Sequence, residues 1–229
     1  PLTNDGIADE PLSMAACTLL VKMWNAQQPS QLMTEIPDRC SIALPDTGYA
    51  VLRAKSAAKE TYLFFDAGEL GPRYCPGHGH ADLLSIELWY GTQPLIIDPG
   101  TYQYAAGQWR EYFRSTKAHS TATVDNLDQV EFAGPFRIGE LACGKLLQVK
   151  LNQQRQELAG VHTGYLRLSD PVTHERRVVV DGSRQIEITD SFFGDTEHEI
   201  DLRLHLATLA VRMNGSSVIA DYPDGTKLV

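Results

Sequence analysis

The sequence predicts an all-β protein, a large antiparallel β-sandwich with a short helical segment at its N-terminal end. Three observations carry this reading. From Gly48 onward, apolar residues recur at every second position in many short runs. Turn signals separate those runs: Asp125-Asn126, Asp181-Gly182, Asn214-Gly215 and Asp224-Gly225. The long runs 173–180 and 197–206 mix charged with apolar positions, as antiparallel strands with one wet face do.

Residues 11–26 differ from the rest. They are rich in Leu, Met and Ala and lack glycine, and Leu12, Ala15, Ala16, Leu19 and Met23 fall at helical spacing. An amphipathic helix is expected there, ended before Pro29. Residues 27–45 read as a connector, giving a helical leader over 1–45 and a β-domain over 46–229. Within the latter, 49–53 and 61–65 read as adjacent strands, and 83–90 with 95–97 as a hairpin about Gly91-Thr92-Gln93. Further strands are expected near 119–125, 128–133, 137–150, 156–162, 173–180, 184–190, 197–206, 210–213 and 216–220. Many short strands separated by turns imply a sandwich. A proline at residue 1 and an end inside a strand-like run are read as marks of a chain cut from a longer one.

Composition narrows the function. The chain has 229 residues, 43% hydrophobic and 21% charged, an ordinary soluble balance. Its net charge of −9 argues against a nucleic-acid binder, whose footprint is basic. No apolar run approaches the roughly 20 residues that span a bilayer; the longest, Met14 to Met23, contains Lys22 and follows Asp5, Asp9 and Glu10, which is no signal-peptide flank. The four cysteines, Cys17, Cys40, Cys75 and Cys143, form no CxxC pair. A zinc knuckle is thereby disfavoured and disulfide pairing stays open.

The chemistry concentrates in one stretch. His78-Gly79-His80-Ala81-Asp82 is followed by Asp98 and then His119, so three of the seven histidines lie together in the most turn-rich and aromatic-rich part of the chain. Histidine binds divalent metals as the neutral imidazole and titrates near physiological pH. In a strand, residues i and i+2 share a face, so His78 and His80 can enter one cleft. A hairpin puts Asp98 at the same sheet end, opposite about Ser85, provided the glycine-rich approach bends back. His119 follows a loop with Tyr102, Tyr104, Trp109, Tyr112 and Phe113. Two imidazoles and a carboxylate make a zinc shell. The competing account is ordinary: histidines bonded to backbone carbonyls, Asp98 capping a turn, aromatics packing a loop. Arg110, Arg114 and Lys117 likewise read either as a patch for a polyanion or as a solvated strand edge or loop. His162, His174, His198 and His205 carry weaker claims, His174 beside Arg176 and Arg177 being the best of them.

Taken together, the blocks His78-Gly-His-Ala-Asp-Leu-Leu-Ser-Ile-Glu-Leu, Asp98-Pro-Gly-Thr-Tyr, Phe113-Arg-Ser-Thr-Lys-Ala-His119 and Asp128-Gln129 resemble the heparinase II/III-like polysaccharide lyases. The likeness is strongest over 60–130 and looser through Gly164-Tyr165, His174-Glu-Arg176 and His205. It implies an N-terminal α/α toroid followed by an antiparallel super-sandwich, of which this chain would be the sandwich and the last toroid helix. It implies zinc held by His80, Asp98 and His119, catalytic roles for His78 and Tyr104, and substrate near Arg114, with Arg110 and Trp109 in the same loop serving binding. The substrate would be an acidic, uronate-containing polysaccharide cleaved by β-elimination, in a bacterial periplasmic or secreted enzyme. The partner would be the toroid of the same protein, supplying the group that neutralises the uronate carboxylate. Ser120 stands where such lyases commonly carry asparagine. Two other readings remain: a non-catalytic carbohydrate-binding sandwich with a metal clip, and a cupin-like oxygenase. The latter wants a glutamate soon after HxH, and Glu87 lies seven residues beyond His80.

Overall fold

Alternation of apolar side chains divides the β-domain between two sheets that share one core. The computed structural model describes residues 40–229 except 57, 58, 153, 183, 184 and 209. The expected helix over 11–26 and the helical leader lie outside the described residues, apart from the end of the connector. The described residues belong to one unit, Cys40–Val229.

The first sheet is an antiparallel meander of β1 (Ile42–Leu44), β2 (Tyr49–Lys55), β3 (Glu60–Asp66), β4 (Ile86–Tyr90) and β5 (Gln93–Ile96). Register pairs Leu52 with Leu63 and Phe65 with both Ala50 and Ile86, so one face of the sheet is continuously apolar. The second sheet runs β12 (Gln185–Phe193), β11 (Thr173–Asp181), β10 (Arg155–His162), β9 (Gly144–Lys150). Leu158, Val178 and Val180 of this sheet join Leu52, Leu63, Phe65, Ile86 and Leu88 of the first in a single buried cluster. Full burial of each such side chain contributes about 1.5–3 kcal/mol, so this layer holds the sandwich together.

Small ribbons complete the domain. β6 (Ala122–Val124) pairs with β13 (Ile200–Leu202), β7 (Phe132–Gly134) with β8 (Arg137–Ile138), and β14 (Val211–Asn214), β15 (Ser217–Asp221) and β16 (Lys227–Leu228) form a three-stranded sheet. The turn residues act as their types dictate: Asp125, Asn126, Gly182, Gly215 and Gly225 all have positive φ.

Several expected strands are broken, each for a local reason. The run 83–90 contributes only β4, because Leu84 takes φ 61 and its N–H donates to Asp66 O. The run 137–150 is two strands, β8 and β9. Of 197–206, only β13 is strand; the later part crosses to β5, where Ile97 N–H donates to His205 O and Ala207 N–H to Leu95 O. Residues 128–131 form no strand, since Gln129 is buried and turned to other partners. Conversely, β1 lies within the stretch read as connector; its three residues are too few to show a period. The loop reading of 102–114 is corrected by a helix, α1 (Gln108–Arg114).

The sheets approach closely at a bulge in β10 between Ala159 and Gly160. A Cβ on Gly160 would stand 2.9 Å from Phe65 Cε1, 2.9 Å from Leu84 Cδ2 and 3.0 Å from Ala67 Cβ. Gly160→Ala should therefore lower stability by about 1–3 kcal/mol through overpacking. Urea denaturation followed by circular dichroism measures this, and an unchanged midpoint would show that the layers are not in tight register here.

Candidate functional site

Everything chemical gathers where the 76–85 segment bends. Gly79 N–H donates to Pro76 O, and Ser85 N–H donates to Asp82 O, making two successive turns. Gly79 is required at the first: a Cβ there would lie 2.3 Å from Leu70 O. The second turn, with Leu84 in the left-handed region, brings His80 and Asp82 back over the end of β5. The Gln129 side-chain amide grips Leu83 on both sides, accepting from its N–H at 2.8 Å and donating to its C=O at 2.9 Å. Thr121 Oγ1 donates to the same carbonyl at 2.8 Å. These bonds tie the 80–84 segment to the chain just beyond His119.

His80, Asp82 and His119 each present a ligand atom, and the three atoms lie within 4.8 Å of one another. Asp98, just beyond β5, places Oδ2 2.5 Å from His119 Nδ1. His119 is fully buried, and its Nε2 has no hydrogen-bond partner among the described residues. A buried imidazole with one nitrogen on a carboxylate and the other unpartnered is poised to give a lone pair to a cation. The electrostatics agree. Burial, the neighbouring His119 and Arg110 push His80 down to about 4, which leaves it neutral at physiological pH. Burial pushes Asp82 up, opposed by His119 and reinforced by Asp98. Burial and Asp82 together push Asp66 up. Asp98 is held below its usual range: burial would raise it, but its bond to His119 outweighs that. His119 is raised, burial being overcome by Asp98 and Asp82. Three carboxylates crowded on two imidazoles want a positive charge among them, and nitrogen-plus-oxygen donors suit a borderline divalent ion. The residues present fit a metal.

The predicted site residues separate into two groups. His80, Asp98 and His119 come together as one cluster, with Asp82 as a further carboxylate. His78 is exposed beside the cluster, its ring 5.4 Å from that of Tyr104 and 5.8 Å from that of Phe136. Trp109 is half exposed on the outer face of α1, in an aromatic group with Tyr102 and Phe113.

Arg110 and Arg114 are placed differently from the solvated loop or substrate-facing reading. They are 0% and 2% exposed. Standing at i and i+4, they face inward while Trp109 and Tyr112 face solvent, so α1 is an amphipathic helix turned inside out. Arg110 donates to Gly77 O at 3.4 Å and Pro135 O at 3.2 Å; Arg114 donates to Gly79 O at 3.1 Å and Pro135 O at 2.6 Å. The two arginines thus grip the carbonyls on either side of His78. Guanidinium groups committed in this way brace the loop.

Of the other histidines, His198 lies between Asp125 and Asp170, with ring nitrogens 2.7 and 3.0 Å from their carboxylates. His205 Nε2 lies 3.1 Å from Lys117 O. His162 and His174 are buried in the second sheet. Sequence reasoning missed Asp82 and Asp66 as members of the acidic group. For Asp82 a signal existed, its i+2 spacing from His80; Asp66 ends an apolar strand and had none.

Comparison with known proteins agrees with this architecture. The family model described as heparinase II/III-like, C-terminal, matches residues 36–228. Among solved structures, a heparinase III superposes with TM-score 0.68 at 21% identity, covering 84% of this chain and 28% of that one. The heparan sulfate lyase HepC of Pedobacter heparinus superposes with TM-score 0.69 at 18% identity, covering 93% of this chain and 33% of that one. At such identities the likeness shows the fold, and the chain spans about a third of the length of these structures. No curated protein matches the chain. Among the described residues, no helix is long and apolar enough to cross a membrane.

If the arginines brace the loop, Arg114→Gln should loosen it. Hydrogen bonds to a charged group contribute about 1.5–3 kcal/mol each. Amide exchange across 77–81 should then accelerate by about tenfold or more, read by mass spectrometry or NMR. Exchange at the wild-type rate would remove Arg114 from the brace.

Proposed function

Because the chain belongs to the heparinase II/III-like C-terminal family, we propose that it is the sandwich part of a polysaccharide lyase cleaving uronate polymers by β-elimination. The observation that carries this reading is the pairing of an exposed His78 and Tyr104, ring centroids 5.4 Å apart, beside a half-buried His/Asp cluster. Elimination needs a base to take the proton at carbon 5 of the uronate and an acid to protonate the departing oxygen at carbon 4. His78 and Tyr104 are two acid/base groups within reach of one sugar linkage. The arginine brace fixes the backbone on both sides of His78, and Phe136 packs against both rings. Neutralisation of the uronate carboxylate, which makes the carbon-5 proton acidic, is assigned to the toroid of the parent protein.

His80 and His119 would hold zinc with a carboxylate: Asp82 presents its oxygen beside them, and Asp98, the ligand that the resemblance implies, lies on His119 Nδ1. Zinc, when bound, would supply positive charge that organises this end of the cleft; elimination adds no water and needs no metal-activated hydroxide. The role of this chain's residues is to keep His80 neutral, seat His119 on Asp98 and hold the loop that presents His78. Half-exposed Trp109 and exposed Tyr102 offer faces to a sugar ring. Those same aromatics would serve the second reading, a binding sandwich without catalysis.

The parent protein tests this directly, since elimination leaves an unsaturated sugar that absorbs in the ultraviolet. On a panel of heparan sulfate, alginate and other uronates, the expected result is ultraviolet product from at least one. His78→Ala should cut turnover on the order of 100-fold or more while zinc content stays unchanged. His80→Ala should abolish zinc uptake. Reducing ends without the ultraviolet product would make the protein a hydrolase, and binding without cleavage would favour the second reading.

A further inference from the structure

Arg176 is a fully buried cation on β11, and its guanidinium joins parts of the chain that are far apart in sequence. Nε and Nη2 donate to the two oxygens of Asp190 at 2.8 and 3.1 Å. Nη1 donates to Leu84 O at 2.8 Å and to Ser120 O at 2.6 Å. Those two carbonyls belong to the segments that carry the metal-binding cluster. Leu84 ends the bend that presents His80 and Asp82, and Ser120 follows His119.

The rest of the network fixes the guanidinium. Arg176 pairs with Asp190 across β11 and β12, and His174 pairs with His162 across β11 and β10, so the register of the second sheet builds it. Gly164 N–H donates to His162 Nδ1 at 3.0 Å, so His162 carries its proton on Nε2 and donates to His174 Nδ1 at 3.0 Å. That leaves His174 Nε2–H for Asp190 Oδ1 at 2.7 Å. Every hydrogen in the string has one direction, and burial holds both imidazoles below their usual range, in the neutral form this order requires. Phe192 stacks on His174 with centroids 4.5 Å apart and clamps the ring.

We propose that Arg176 is a positioning residue for the metal-binding cluster. It sets the spacing between the His80–Asp82 segment and His119, while Asp190, His174 and His162 lock its guanidinium in place. This rests on the reading of that cluster as a metal site. The competing account is a brace for the sandwich alone, which would respond like any other loss of core stability.

The test compares Arg176→Lys and Asp190→Asn with Leu158→Ala, a core change in the neighbouring strand whose apolar side chain can bond neither carbonyl. Zinc affinity of the chain is measured by competition with a chromophoric chelator, below the unfolding temperature of every variant. In parallel, ring ¹⁵N resonances of His80 and His119 are recorded without metal. Arg176→Lys and Asp190→Asn should each weaken zinc binding by about tenfold or more, the usual scale for supporting groups around ligands. Both should shift the His119 resonances, and Leu158→Ala should do neither. Asp190→Asn keeps the guanidinium and is the milder change, so it decides the matter if Arg176→Lys does not fold. Wild-type affinity and wild-type resonances in the Arg176 and Asp190 variants would overturn the proposal, as would an equal loss in Leu158→Ala. If the wild-type chain takes up no zinc, the metal reading fails by itself. The metal-free resonances then decide whether Arg176 positions these histidines.

Discussion

Side-chain donors on buried main-chain carbonyls hold this site in place, and the rest of its geometry depends on them. The side chains of the candidate site come from separate stretches: the 78–82 bend, the chain just beyond β5 and the start of the run into β6. None of these is regular strand where the chemistry sits, so none satisfies its own carbonyls through a ladder. Arg110 and Arg114 take Gly77 O and Gly79 O, Gln129 and Thr121 take Leu83 O, and Arg176 takes Leu84 O and Ser120 O. A buried carbonyl left without a donor costs about 1–3 kcal/mol, so each of these bonds both removes a penalty and fixes a position.

The same solution explains the inverted helix. Charged residues are rarely buried unless paired, yet α1 turns two arginines inward and leaves Trp109 and Tyr112 in solvent. Carbonyl oxygens and the rings of Phe132, Tyr104 and Phe136 receive the cations, with Arg114 4.3 Å from the Phe132 ring centroid. The displaced aromatics, Trp109 and Tyr112, pack on Phe113 at the outer face of this helix of seven residues.

Around the cluster the balance of charge is tight. Asp82 and Asp98 raise the proton affinity of Asp66, and Asp98 raises that of Asp82, while Asp98 itself is held low by its bond to His119. Arg110 and Arg114 are buried, and their charge goes to the carbonyls of the His78 loop.

Much of this was legible in the sequence. The period-two runs at 49–53, 61–65, 156–162 and 173–180 reappear as β2, β3, β10 and β11, because alternation reflects one buried and one open face and needs no distant partner. The turn dipeptides held for the same local reason. The HxH block, Asp98 and His119 could be singled out by residue type, and the ordered blocks around them marked the family. What only the tertiary structure decided is everything that depends on who meets whom. Leu84 broke an expected strand because Asp66 and Arg176 stood ready to bond it, and 128–131 left the sheet because Gln129 was needed at Leu83. The arginines of α1 turned inward because carbonyls awaited them there. Asp66 joined the acidic group only through the folding of β3 beside the bend. Local patterning determines which face of a strand is apolar; the partners of a buried polar group lie tens of residues away, and their identity exists only once the chain has closed on itself.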